Sequence, residues 1–205
     1  MNTFQIKLLA AILMVVDHVG YFLYPSESLF RIVGRLSFPL FAFLIVQGYK
    51  YTKNFNKFFL RLFLFANIIH IPVLWQDIPV NIFYTLSFGL LLIKIYEEDL
   101  EGGKKAILAS GLIVLTLVLN PDYSLYGVFL ILLIHVYQGQ WGKLAFAFMA
   151  LGILFYNVHI QLYAVLAIPI MMTYNGKLGP KIKWFFYVFY PSHIGVLYFM
   201  SERLR

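Results

Sequence analysis

Residues 17–43 read DHVGYFLYPSESLFRIVGRLSFPLFAF, and the reading of this stretch decides the fold. On either side of the polar break at Pro25, Ser26, Glu27 and Ser28 the residues are apolar enough to lie in lipid, so the segment reads as two membrane helices joined by a short turn. Into that apolar setting it puts Asp17, His18, Arg31 and Arg35. An ionisable side chain in a membrane span is costly, and by default it is a functional-site hypothesis whose partner has to be named.

The rest of the chain repeats the pattern. Hydrophobic residues make up 61% of the 205 and charged residues 12%, a composition of polytopic membrane proteins. Apolar runs at residues 5–24, 29–50, 58–75, 81–96, 106–119, 123–137, 141–155, 160–173 and 184–201 are separated by Pro, Gly, Asn and charged residues. The expectation is an all-α, polytopic transmembrane bundle of about nine helices, some short or broken, forming a single domain over residues 1–205. No internal repeat is visible. The first apolar run continues into Asp17 and His18 where a signal peptide would offer a small-residue cleavage site, so it reads as a retained first helix.

The chain has sixteen Lys and Arg against nine Asp and Glu, but the basic residues sit in connecting loops and make no aromatic-interleaved face for nucleic acid. Counted over alternate connections, twelve fall on one side of the membrane and four on the other. The positive-inside rule then places the N-terminus in the cytoplasm and, after nine crossings, the C-terminus outside the cell membrane. The absence of cysteine excludes disulfides and thiol chemistry. No metal is expected, because the five histidines lack HExxH or paired i, i+4 spacing.

With that topology Asp17, His18, Arg31, Arg35, His70, Asp77, Asn81, Thr85, Asn120, Asp122, Tyr123, Asn157, His159 and His193 all fall in the outer half of the bundle or its outer loops, although they come from many helices. A histidine that takes and returns a proton beside Arg or Asn groups suits acyl or group transfer, and it equally suits a proton-coupled pathway. Asp17 and His18 are neighbours, about 100° apart round a helix. Asp17 is therefore poorly placed to orient the His18 ring, and a bridge to Arg35 on the next helix is expected. Arg31 has a second reading as a snorkelling interfacial residue, and His135, at the other end of its helix, reads as structural. His193 follows Pro191, whose ring kinks a helix, and broken helices at membrane depth line a cavity or another protein segment.

Five motifs in order, LMVVDHVGYFLYP at 13–25, FRIVGRLSFPLFAFLIVQGY at 30–49, NIFYTLSFGLL at 81–91, PDYSLYGVFLIL at 121–132 and FFYVFYPSHI at 185–194, resemble the TraX family of small polytopic proteins. The resemblance covers nearly the whole chain. It implies an integral membrane acyltransferase that acetylates the N-terminal amine of a pilin subunit, with acetyl-CoA as donor. Carried over by motif, the implicated positions are Asp17, His18, Gly34, Arg35, Pro39, Asn81, Thr85, Asp122, Tyr123, Pro191 and His193. The expected catalytic set is His18, Asp17, Arg35 and His193. Donor binding is expected at Lys50, Lys53, Lys57, Arg61, Asn81 and Thr85, and acceptor binding at Asp122, Tyr123 and His70. The partners are the lipid bilayer and an acceptor that is a pilin-like peptide, a glycan or a lipid. The competing readings are a proton-coupled transporter, against which stands the lack of inverted repeats, and a non-catalytic protein of surface assembly.

Overall fold

A computed structural model describes residues 1–70, 81–156, 160–180 and 183–204. Among them the secondary structure is helical throughout: α1 (Thr3–Phe22), α2 (Ser28–Gly34), α3 (Ser37–Tyr51), α4 (Phe55–His70), α5 (Ile82–Glu97), α6 (Gly102–Leu119), α7 (Ser124–Tyr137), α8 (Trp141–Tyr156), a 3-10 helix (Ile160–Leu166), α9 (Ala167–Met172) and α10 (Lys183–Leu204). Each of the nine expected helices has its counterpart. The second is broken into α2 and α3, and the eighth opens as the 3-10 helix before becoming α9. The fifth starts at Gly102, four residues before the expected start, because Lys104 and Lys105 enter its first turn. There Lys104 pairs with Glu101 at 3.2 Å, and the Lys105 amide donates to the Glu101 carbonyl. The end of the third expected helix, part of the turn at 156–159 and, of the outer-half polar residues, Asp77, Asn157 and His159 lie outside the described residues.

Among the described residues three helical segments are long and apolar enough to cross a membrane: Thr3–Phe22, Ser28–Tyr51 (α2 and α3 together) and Gly102–Leu119. The last shows why lipid is the required solvent. Ile107, Val114, Leu117 and Val118 of α6 are each more than half exposed, an apolar surface that water would not tolerate. A helix satisfies the backbone groups of its interior turns within itself, as a hydrocarbon environment demands.

The chain divides into two compact units, Met1–Leu44 with Trp141–Arg205, and Ile45–Gln140. In the second, α5 is the central element. Ten of its residues are buried, from Tyr84 to Ile95, and it packs on α4, α6 and α7. A helix buried on all sides carries apolar residues all round, which is why this segment shows little amphipathic period. Ala66, Tyr84, Phe88, Leu92, Ile95, Leu112 and Val128 form one core cluster there.

In the first unit, α1 packs on α2 and α10. It opens with a reciprocal cap: the Gln5 amide donates to Asn2 Oδ1 and the Asn2 amide to Gln5 Oε1, each at 2.9 Å. The same end is seated on the segment before α10. The Thr3 and Phe4 amides donate to the Lys177 and Leu178 carbonyls at 2.8 and 3.2 Å, the Asn175 amide donates to the Met1 carbonyl at 2.9 Å, and the Met1 amine meets the Thr173 carbonyl. Gly179, at φ +71, turns the chain under Asn2, where a side chain would collide with the asparagine amide.

Candidate functional site

The site in the first unit begins with a glycine. Gly34, the last residue of α2, lies against Asp17 of α1 so closely that a Cβ there would overlap the aspartate. Small residues let membrane helices approach to this distance, and the approach brings the two arginines of α2 and its cap onto one carboxylate. Arg31 Nη1 donates to Asp17 Oδ2 at 2.7 Å, and Arg35 Nη2 donates to Oδ1 at 3.0 Å and Oδ2 at 3.3 Å. Arg31 Nη1 also reaches the Asp17 carbonyl at 3.3 Å, with its guanidinium over the Tyr21 ring. Arg35 Nη1 donates to Oε1 of Gln161, a buried residue of the 3-10 helix, at 3.3 Å. Asp17 is itself buried. A buried carboxylate repays its lost hydration only through close, well-directed partners, and here it has two guanidiniums.

His18, one residue on, points elsewhere. Its Nδ1 lies 2.9 Å from His193 Nε2 of α10, with ring centroids 5.0 Å apart and planes at 35°. The 100° between successive helix positions thus sends the carboxylate of α1 to α2 and the imidazole to α10. His193 is held on the other side as well. Its Nδ1 donates to the Phe189 carbonyl at 2.9 Å, its ring stacks on Phe189 at 14°, and Tyr190 meets it edge-on. The Phe22 ring lies 6.3 Å from that of His18 between centroids, tilted by 47°.

The expected Asp17–Arg35 pair is therefore present, but Arg31 shares it and is the closer partner. Sequence reasoning missed Gln161; the available signal was one amide side chain in the apolar run IQLYAVL.

The second unit holds the other expected residues, each in a defined role. Asn81 caps α5: its Oδ1 accepts from the Phe83 amide at 3.1 Å while Nδ2 donates to the Ala66 carbonyl at 2.9 Å. Thr85 donates its hydroxyl to the Asp122 carbonyl. That contact holds a strained connection, since Asn120, Tyr123 and Ser124 all have positive φ (40°, 62° and 39°) without being glycine. Pro121 follows the left-handed end of α6, where a helix cannot continue. Tyr123 stacks obliquely near Tyr126. His70 ends α4 with its ring edge-on to Tyr84, and its buried Nδ1 has no hydrogen-bond partner among the described residues.

Of the basic residues, Lys50 and Lys53 line a cleft of about 670 Å³ together with Lys94, Phe55, Thr52 and Gln138. Lys57 and Arg61 lie on α4 outside that lining, with the Arg61 guanidinium over Phe58. The cleft also contains an unforeseen network. Glu97 accepts from the Tyr49 hydroxyl at 2.7 Å and pairs with His135 Nε2 at 2.8 Å. His135, expected to be structural, is the cross-helix partner of a carboxylate.

The TraX protein family profile matches residues 3–201. A probable fimbrial assembly protein FimC, serogroup H1, of Dichelobacter nodosus is 28% identical, with 96% of this chain and 94% of that protein covered. An uncharacterised protein of Rickettsia prowazekii is 31% identical over 98 residues, covering 46% of this chain and 38% of that protein. No solved structure matches the chain.

Proposed function

Because the chain belongs to the TraX family, we propose that it is an integral membrane acyltransferase that moves an acetyl group from acetyl-CoA to the N-terminal amine of a pilin-like protein or another extracytoplasmic acceptor. The observation that carries this reading is His18 itself, an imidazole in a membrane-spanning helix, ring-to-ring with His193 and one residue from a carboxylate held by two guanidiniums. The near full-length similarity to a protein named for fimbrial assembly supports an acceptor of pilin type.

In the reaction the neutral acceptor amine attacks the thioester carbonyl carbon. A C–N bond forms, the C–S bond breaks, and the proton leaving the amine passes to His18 and from there to the departing thiolate. A base within hydrogen-bonding reach contributes about 10²- to 10⁴-fold to such a transfer. Arg31 and Arg35 bring positive charge to the turn of α1 that carries His18, where the carbonyl oxygen gains negative charge as the acceptor adds. The lysine-lined cleft of the second unit is the candidate dock for the donor's phosphates, and its volume lies within the usual range for ligand sites.

The test is donor binding followed by turnover. Calorimetry on the purified, monodisperse protein should detect acetyl-CoA, and free thiol should appear when a peptide with an unblocked N-terminus is added. A folded sample that binds no donor would overturn the reading and favour a non-catalytic role in fimbrial assembly, the sense of the relative's name.

A further inference from the structure

We infer that His193 is a positioning residue that fixes the tautomer of His18, leaving His18 Nε2 as the atom that accepts the proton. The inference rests on the proposed role of His18 as a base, but its geometric part stands by itself.

A backbone carbonyl can accept a hydrogen bond but cannot donate one. The Phe189 carbonyl oxygen lies 2.9 Å from His193 Nδ1, so that nitrogen must carry the hydrogen. A neutral imidazole has one N–H, and His193 Nε2 is then a bare acceptor. Nε2 is the atom that meets His18 Nδ1 at 2.9 Å. Two bare nitrogens would repel at that distance, so His18 Nδ1 carries the hydrogen and donates it. His18 is then left with an unprotonated Nε2, its lone pair directed away from His193. Orientation is fixed along with protonation, because Phe189 stacks on the His193 ring and Tyr190 abuts it edge-on. The chain of donors thus runs from His18 through His193 to a backbone carbonyl, the place a carboxylate takes in other base-and-orienter pairs. Asp17 cannot serve, since its oxygens are bonded to Arg31 and Arg35.

The arrangement also responds to the reaction. When Nε2 takes the acceptor's proton, His18 becomes an imidazolium and its Nδ1–H bond to His193 becomes charge-assisted, which strengthens it. The dyad therefore favours the protonated base at the moment it forms.

The experiment reads the tautomer without donor or acceptor. Protein labelled with ¹⁵N-histidine is studied in nanodiscs, well above the ordinary imidazole pKa of about 6.5, with His18 signals assigned by their loss in His18→Gln. The two-bond ¹H–¹⁵N pattern should show His18 protonated on Nδ1. In His193→Ala it should revert to the Nε2–H form that predominates in free imidazole side chains, and in His193→Gln, whose amide oxygen can accept in place of Nε2, the Nδ1–H form should return. In an active assay His193→Ala should lower kcat about 10- to 100-fold with the KM for donor unchanged, less than loss of the base itself, and His193→Gln should recover most of it. A wild-type His18 protonated on Nε2 overturns the inference, and so does an unchanged tautomer in His193→Ala. If His193→Ala does not fold, the wild-type spectrum and His193→Gln decide the matter. Absence of donor turnover with the Nδ1–H tautomer in place would refute the acyltransferase reading and leave the dyad standing.

Discussion

The buried polar side chains around Asp17 and His18 in the first unit and Asn81, Thr85, Ser87 and Thr116 in the second are used in different ways. In the second, buried polar side chains serve the backbone close by: Asn81 caps α5 and holds the Ala66 carbonyl, Thr85 holds the Asp122 carbonyl, and Ser87 and Thr116 bond back to Phe83 and Leu112 one turn earlier. In the first, they meet one another across helices: Asp17 with Arg31 and Arg35, Arg35 with Gln161, His18 with His193. Neutral groups that satisfy a carbonyl are inexpensive in lipid and explain themselves. Cross-helix charges and paired imidazoles are not required by any backbone group, and their desolvation makes them poor stabilisers relative to apolar packing. The contrast teaches that burial alone does not mark a functional residue here; the kind of partner does.

The strongest way to test that contrast is to remove His18. His18→Ala should fold and bind donor normally while transfer falls about 10²- to 10⁴-fold, measured as thiol release in the presence of acceptor; near-normal turnover would move the chemistry elsewhere. Next is Arg35→Leu, which leaves the buried Asp17 with Arg31 as its remaining partner and should cost less than the about 3–5 kcal/mol of a wholly uncompensated buried charge, seen as lost yield and a lower melting temperature. Asp17→Asn added to Arg35→Leu should recover part of it, and strict additivity would show that the pair does not couple. In the second unit Thr85→Val should cost about 1–3 kcal/mol by removing the hydroxyl that bonds the Asp122 carbonyl, with turnover per folded molecule largely kept. A selective loss of turnover would erase the distinction between the units. The smallest effect is expected at the cleft. Lys50→Gln and Lys53→Gln should each weaken acetyl-CoA binding about fivefold at low salt and much less at high salt, as exposed charges do. Salt-independent losses would argue against a phosphate contact.

Helices were legible from the sequence because lipid permits few alternatives. Apolar runs punctuated by Pro25, Pro121 and the Gly176–Gly179 region leave little else to draw. The break between α2 and α3 was passed over because its signals, Gly34 before it and Pro39 in the first turn after it, sit inside an otherwise continuous apolar run. There the Arg35 amide is shared between the Arg31 and Ile32 carbonyls, and the tightening follows from packing Gly34 against Asp17. The Asp17–Arg35 pair could be foreseen because a buried charge needs a counter-ion and the adjoining helix offered one. The pairing of His18 with His193 could not, since it joins positions 175 residues apart. For the same reason Glu97 with His135 escaped notice: each residue alone sits at a helix end, where a charge is ordinary.

The seating of the first turn of α1 on residues 173–178 makes that helix a ruler. Its starting point is clamped at Thr3 and Phe4 by the Lys177 and Leu178 carbonyls, and His18 stands fourteen residues further on, about 21 Å along the axis at 1.5 Å per residue. Both the height and the bearing of the imidazole are thereby indexed from the far end. One residue inserted between the clamp and His18 would swing the ring by about 100° and lift it by about 1.5 Å, taking it off His193 with no change in hydrophobicity. The spacing from Phe4 to His18 is thus a dimension of the machine, as exacting as the identity of the histidine.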